Sequence, residues 1–278
     1  MGAHNRQPIG QCIYCRRVLP PEELGDEHII PKGIGGLQDA SGNMLTLLKA
    51  SCQECAAVVN VFETAAMEGF LKSFRVSTNT RSNRKRGKGG KKGPLTQTFR
   101  LGPEGAEVAI EFSGSDHVGV VALPMWEPPR ILTGAVPEEP GNLRINIAIL
   151  RVLPDYYYRK AKIDGPWKFD VPFKPSHWAQ FMAKIAYCYT IAKIGLDAFE
   201  PFVLGQILVT PEDDASLYVG CESQNLATTR HFHSCSYHEI SRNGERWILV
   251  RVRLLSKWGG HPFLVVVGKR KLPDPSSP

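Results

Sequence analysis

Two Cys-x2-Cys pairs are the residues of this chain best suited to chemistry. Cys12 and Cys15 form the first pair, and Cys52 and Cys55 form the second. A Cys-x2-Cys turn presents two sulfurs to one metal ion, and two such turns complete the tetrahedral four-sulfur site that structural zinc prefers. The spacing therefore predicts a structural zinc site that pins the two ends of the segment between the pairs.

The segment between the pairs carries an acid and an imidazole in adjacent positions. Glu27 and His28 precede an Ile-Ile-Pro run, and Asn43 follows in the same segment. A neutral imidazole can take a proton from water, and a carboxylate can hold a hard divalent cation beside a phosphate. Asn43 can orient the imidazole by hydrogen bonding its second ring nitrogen, directly or through a backbone carbonyl. These residues predict a centre that cleaves phosphodiester bonds.

The combined motif resembles the HNH endonuclease family, the ββα-metal nucleases. The resemblance covers about residues 10–75 and is carried by Cys-Ile-Tyr-Cys at 12–15, by Glu-His-Ile-Ile-Pro-Lys-Gly-Ile-Gly-Gly at 27–36 and by Phe-Glu at 62–63. It implies a small, zinc-stabilised ββα-metal module at the start of the chain. It also implies a metal-dependent endonuclease that nicks or cuts DNA.

The resemblance assigns a role to each residue of the motif. It implies that His28 is the general base, that Asn43 orients it, and that the four cysteines form a zinc knuckle. Glu27 is implied as a ligand of the catalytic cation, which is Mg²⁺, Mn²⁺ or Ni²⁺.

One position departs from the family pattern. The family places His or Asn directly after the last cysteine as the second ligand of the catalytic cation, whereas this chain has Ala56. Asn60 lies one helical turn later and is the expected substitute, because residues four apart share a helix face. Glu63 lies on a neighbouring part of that face. The sequence therefore predicts either a rearranged catalytic site at Glu27 and Asn60 or a weakened one.

The net charge of +7 is confined to one end of the chain. Residues 1–100 hold 15 Lys and Arg against 8 Asp and Glu, and the remainder holds 19 of each sign. This asymmetry predicts a polyanionic partner for the N-terminal part, most simply DNA. The alternative for the most basic stretch is a solvated linker. The candidate nucleic-acid contacts within it are Arg81, Arg84, Lys85, Arg86, Lys88, Lys91 and Lys92.

Composition also narrows the class and compartment of the protein. No apolar run approaches the ~18 residues of a membrane span, so no membrane partner is expected. The first residues, Met-Gly-Ala-His-Asn-Arg, lack the apolar region of a secretion signal. An intracellular, reducing location, the cytoplasm, is therefore expected, and it favours metal binding over disulfides for the paired cysteines.

The pattern along the chain predicts an α+β protein in three regions. Residues 1–75 form the HNH-type module, residues 76–94 a basic linker or loop, and residues 95–278 a mixed, β-rich α+β region of one or two subdomains. The periodicity predicts helices at about 52–74 and 176–199 and a strand near 44–48. Further strands are predicted at 107–112, 118–123, 143–153, 206–209, 217–221, 232–239, 247–255 and 262–267.

Three functions remain open on the sequence alone. The first is a metal-dependent HNH endonuclease, with target selection, a homodimer contact or a regulatory partner assigned to the C-terminal region. The second is a zinc-dependent nucleic-acid-binding protein whose catalytic site is weakened. Ala56, at the position of a cation ligand in the family, favours this alternative. The third is a nuclease effector gated by its C-terminal region, which rests on family analogy.

Overall fold

The fold is α+β, as the sequence predicts, with helices and antiparallel sheets in the same molecule. Its structure is a computed structural model. The residues that it describes are 7–77, 95–101, 106–112, 120–135, 145–151, 167–168, 174–209, 214–222 and 226–271.

The chain begins with two antiparallel strands followed directly by a helix. Strand β1 (Leu24–His28) pairs with β2 (Thr46–Cys52), and α1 (Gln53–Glu68) starts at the next residue. A bulge between Gly25 and Glu27 shifts the register of β1 against β2. A short helix, α2 (Lys72–Ser77), follows the turn at Gly69. The predicted helix over 52–74 is thus two helices, since α1 ends at the glycine.

Two smaller sheets follow in sequence. One has the strand order β4-β3-β7, and the other is the antiparallel pair of β5 and β6. A four-residue helix, α3, lies between β5 and β6 in the chain. The bounds are β3 (Leu95–Leu101), β4 (Ala106–Phe112), β5 (Val120–Met125), α3 (Arg130–Thr133), β6 (Asn146–Arg151) and β7 (Trp167–Lys168).

The C-terminal part is a long helix against a five-stranded antiparallel sheet. The sheet has the order β10-β11-β12-β8, and β9 pairs with a separate stretch of β12. The bounds are α4 (Pro175–Ile194), β8 (Phe199–Pro201), α5 (Leu204–Leu208), β9 (Val219–Cys221), β10 (Ser234–Arg242), β11 (Glu245–Arg253) and β12 (Phe263–Arg270).

Helix α4 is buried on all sides. Every residue from Trp178 to Ile191 is buried, because α4 contacts α1 on one side and strands β11 and β12 on another. A helix without a polar face is expected only in such a position. The sequence prediction of this helix is confirmed, although it ends at Ile194 rather than at 199, before Gly195 in a positive-φ conformation.

One predicted strand is wrong. Residues 206–208 belong to the short helix α5, Val209 is its C-cap, and no strand forms there. A short apolar run has the same composition in a buried strand and in a buried helical turn, so its period cannot distinguish them. Packing decides here, because Gln206 and Ile207 are buried and the Gln180 side chain of α4 donates to the Ile207 carbonyl.

The apolar core continues across the boundary expected after the N-terminal module. Ile13 and Phe62 from the first 77 residues belong to the same buried cluster as Trp178, Phe181 and Val265. Phe70 also packs edge-on against the ring of Trp178, with centroids 5.6 Å apart. The β1–β2–α1 unit is therefore seated on α4, and α4 fixes where its polar side chains lie.

Candidate metal centre and histidine site

The four paired cysteines meet at one point. Cys12 and Cys15 lie in a tight turn in which the Arg16 amide donates to the Cys12 carbonyl and the Cys12 amide donates to the Arg17 carbonyl, each at 2.9 Å. Cys52 ends β2 and Cys55 lies in the first turn of α1. All four sulfurs lie within 4.8 Å of one another. The sequence expectation that the pairs converge is confirmed.

The sulfur geometry fits a tetrahedral metal. A Zn–S bond of ~2.3 Å places the sulfurs of a tetrahedron about 3.8 Å apart. The Sγ atoms of Cys15 and Cys52 are separated by 3.8 Å, which is far longer than a disulfide bond of ~2.05 Å. All seven cysteines are free. The cluster can therefore hold a structural metal such as zinc.

The Arg17 guanidinium lies at the rim of the four-cysteine cluster. The sequence analysis did not identify this residue. Its Nε donates to Cys15 Sγ at 3.3 Å, and its Nη2 pairs with Glu54 at 2.5 Å. Burial acts to raise the pKa of Cys15, but the hydrogen bonds from Arg17 outweigh it and lower the pKa to about 6. Cys15 is therefore ready to bind a metal as a thiolate.

His28 stands at the end of β1 with one ring nitrogen held. It pairs in register with Thr46, and its Nδ1 lies 2.9 Å from Thr46 Oγ1. The side chain is half-buried. Burial, followed by the charges of Lys32 and Lys184, lowers the pKa of His28 below its ordinary value of 6.5. The imidazole is therefore neutral at pH 7, and Nε2 has no hydrogen bond to any residue that the structure describes.

Glu27 points to the protein interior and pairs with a lysine. Its Oε1 lies 2.7 Å from Nζ of Lys184, and Glu63 Oε1 lies 2.8 Å from the same ammonium. The Lys184 side chain is fully buried and the two glutamate side chains are 9% and 12% exposed. The contact with Glu63 is an ion pair rather than a well-directed hydrogen bond. The sequence did not suggest Lys184.

The third partner of Lys184 is the backbone of the histidine. Nζ donates to the His28 carbonyl, so the ammonium is surrounded by that carbonyl and by one carboxylate oxygen each of Glu27 and Glu63. Burial disfavours the ammonium, but the charges of Glu27 and Glu63 outweigh this and raise the pKa of Lys184. Burial also raises the pKa of Glu63. The group is a buried cation between two acids.

The remaining predicted site residues lie apart from these contacts. The Asn43 carbonyl accepts from the Asp39 amide at 2.9 Å within its own loop, and the group at His28 Nδ1 is Thr46. Asn60 is exposed on α1, and Ala56 is half-buried one turn before it. The seven basic residues between Arg81 and Lys92 lie outside the described residues.

The loop after His28 is held from the other side by a second histidine. His233 is buried, its Nε2 lies 2.7 Å from the Ile34 carbonyl, and its Nδ1 accepts from the Leu255 amide at 3.2 Å. Burial lowers the pKa of His233 to about 4, so it is neutral with the proton on Nε2. The C-terminal region thus fixes both ends of the segment 28–34.

Gly35 closes this loop, and a side chain there is expected to destabilise the fold. Its φ is +100°, and a Cβ atom there would lie 2.9 Å from Cδ2 of Phe232. We expect Gly35→Ala to lower the free energy of unfolding by about 1–3 kcal/mol, the cost of a strained backbone and a close contact. Urea denaturation measures it. Gly42→Ala is the matched control, because Gly42 also has a positive φ, +82°, but nothing within 4 Å. Equal losses in the two variants would show that the Phe232 contact costs nothing.

Comparison with protein families, with curated proteins and with solved structures found no match to this chain. Among the described residues, no helix combines the length and the apolar character needed to cross a membrane.

Proposed function

We propose that this protein is a metal-dependent endonuclease of the HNH type that hydrolyses phosphodiester bonds in DNA. The observation that carries the proposal is the placement of His28. Its neutral imidazole projects from a β1–β2–α1 unit whose ends are joined by the four-cysteine cluster. Thr46 holds the Nδ1 atom of this imidazole. Such an imidazole has one nitrogen left for proton transfer.

The proposed chemistry begins at Nε2 of His28. When Nδ1 donates its proton to Thr46 Oγ1, Nε2 carries the lone pair of a general base. Nε2 takes a proton from water, the water oxygen bonds to phosphorus, and the bond from phosphorus to the departing sugar oxygen breaks. A divalent cation, when bound, neutralises the phosphate and the departing oxygen. The identity of that cation, Mg²⁺, Mn²⁺ or Ni²⁺, is part of the proposal.

Glu27 is the residue proposed to hold the catalytic cation. Its Oε1 is committed to Lys184, whereas Oε2 makes no ion pair or hydrogen bond with the residues described. One free carboxylate oxygen fits a hard divalent cation. Asn60 is exposed on α1, and its amide oxygen is the proposed second ligand. A site of one carboxylate and one amide binds its cation weakly.

DNA is the proposed partner because the positive charge lies in the same part of the chain as the histidine. The surplus of Lys and Arg is confined to residues 1–100, and it includes the basic stretch that follows α2 in sequence. Lys and Arg that neutralise phosphates bind without sequence preference and with a steep dependence on salt. The seven free thiols are consistent with an intracellular, cytoplasmic location.

A second candidate is a zinc-dependent nucleic-acid-binding protein that does not cleave. The observation that favours it is the commitment of Glu27 to Lys184, together with Ala56 at the family's ligand position. A gated nuclease is a variant of the first proposal. It is favoured by the origin of Lys184, which reaches His28 and Glu27 from the C-terminal region.

Plasmid nicking separates the endonuclease from the binding protein. Supercoiled plasmid is incubated with the zinc-loaded protein and Mg²⁺, Mn²⁺ or Ni²⁺, with a chelated sample as control. Conversion to open circles that requires the cation supports the endonuclease. Retarded migration of the plasmid without nicking under every cation contradicts it and favours the binding protein.

A further inference from the structure

The Lys184 ammonium contacts two residues of the proposed catalytic site. Its ammonium lies 2.7 Å from Glu27, the proposed cation ligand, and it donates to the backbone carbonyl of His28, the proposed base. It does not reach solvent, so it cannot touch substrate. Any influence on the reaction must therefore pass through the residues that the ammonium contacts, which are Glu27, His28 and Glu63.

Helix α4 brings Lys184 to this position with a row of polar contacts. One turn further along the same face, Tyr187 donates to the Ile13 carbonyl at 2.5 Å, and Cys188 Sγ lies 3.7 Å from Tyr14 Oη. These contacts seat α4 on the cysteine turn at one end and on β1 at the other. The position of the ammonium is therefore fixed by a rigid element.

We propose that Lys184 is a positioning residue of the histidine site, which weakens the hold of Glu27 on a divalent cation and fixes the backbone of His28. This inference rests on the proposed function. An ammonium at contact distance neutralises much of the charge that Glu27 offers to a second cation, and burial makes this effect stronger than in water. The same ammonium holds the carbonyl at the end of β1, from which the imidazole projects.

Packing alone does not require a lysine here. A buried ion pair is often no more stable than apolar residues of similar volume, because desolvation of the charges offsets their attraction. The Lys184 ammonium nevertheless has three oxygen neighbours, and two of them belong to residues 27 and 28. The arrangement is specific to the proposed site.

The test measures cation binding and nicking in the same variants. Mn²⁺ is titrated into zinc-loaded protein and the free ion is followed by electron paramagnetic resonance. Lys184→Met is expected to bind Mn²⁺ at least about tenfold more tightly than the wild type, which corresponds to one charge interaction of ~1.4 kcal/mol. Lys184→Met/Glu27→Gln is expected to lose that gain. Nicking by Lys184→Met is expected to fall, because His28 loses its backbone contact.

Tighter binding with slower nicking is a combination that a purely structural role does not produce. Damage to the fold lowers both quantities. Unchanged Mn²⁺ affinity in a folded, zinc-loaded Lys184→Met protein would overturn the proposal. So would a gain that persists after Glu27→Gln, since the cation would then be bound elsewhere. If no sample nicks DNA, the proposed function fails, and the Mn²⁺ affinities still decide the role of Lys184.

A second variant covers the case in which Lys184→Met does not fold. Lys184→Met leaves two acids buried without a counter-charge, and the loss of one partner of a buried pair is strongly destabilising. Lys184→Met/Glu63→Gln removes the cation and one of the acids together and leaves Glu27 as the single charge. It is expected to bind Mn²⁺ more tightly than wild type by the same factor. Wild-type affinity in this folded variant contradicts the proposal.

Discussion

His28→Ala is expected to lower cation-dependent nicking of supercoiled plasmid by about 100-fold or more, the usual contribution of a general base. The reason is that Nε2 of His28 is the proposed proton acceptor, while Nδ1 is already held by Thr46. The fold should survive, because the side chain is half-buried and makes a single hydrogen bond within the described part of the chain, to Thr46. The measurement is the initial rate of nicking with the best cation, together with the melting temperature and zinc content of the variant.

His177→Ala is the matched control for this prediction. His177 is a partly exposed imidazole in the first turn of α4, away from the histidine site, and its removal should leave the rate unchanged. Equal rates in wild type and folded His28→Ala protein would remove His28 from the mechanism.

The pH dependence of the wild-type nicking rate is a further test of His28 as the general base. Burial and the neighbouring lysines lower the pKa of His28 from 6.5. More than half of the imidazole is then neutral at pH 6.5, so the fall in rate on acidification should be centred below this pH. A rate that rises through pH 7 would assign the base to another group.

The cysteine cluster could be predicted from sequence because its geometry is local. Each Cys-x2-Cys turn fixes two sulfurs by itself, so one long-range contact between the turns completes the site. The same reasoning places Cys55 in the first helical turn after β2, where the structure has it. The α+β class was equally accessible, since the helical and alternating patterns are distinct over most of the chain.

The partners of Glu27 and His28 could not be read from the sequence. Thr46 meets His28 through the register of β1 and β2, and β1, Leu-Gly-Asp-Glu-His, has too few apolar residues to predict a strand. Lys184 is separated from His28 by 156 positions. It lies in a helix that is buried on all sides, so no polar face marks it. Such contacts follow from packing between distant elements.

The loop between His28 and Gly36 was also predictable only in part, because one of its contacts is with a distant segment. Its glycines suggest a tight turn from sequence, and the positive φ values of Gly35 and Gly36 agree. The hydrogen bond from His233 to the Ile34 carbonyl joins residues 199 positions apart, since His233 lies just before β10. His233 is buried, whereas His231 and Cys235 are only partly buried. The acceptor of His233 could be found only in three dimensions.

Cys55→Ser is expected to abolish metal binding and to unfold the N-terminal module. A serine oxygen is a poor fourth ligand, and a structural zinc contributes about 10–16 kcal/mol of apparent binding free energy to such small sites. The cysteines lie in the same apolar core as α4, so loss of the metal should also lower the melting temperature of the rest of the protein. Purified wild-type protein should contain about one zinc per chain, whereas the variant should contain none.

Cys188→Ser provides the control, because Cys188 is buried beside Tyr14 but lies outside the four-sulfur cluster. Serine keeps a hydrogen-bonding atom for the Tyr14 hydroxyl, and the variant should retain its zinc. Metal analysis by mass spectrometry and thermal unfolding measured by circular dichroism separate the two cases. Full zinc content in folded Cys55→Ser protein would show that the metal does not need this sulfur. Loss of zinc from both variants would instead show that the metal content reports general damage to the core, because the two residues share a fold but not a ligand set.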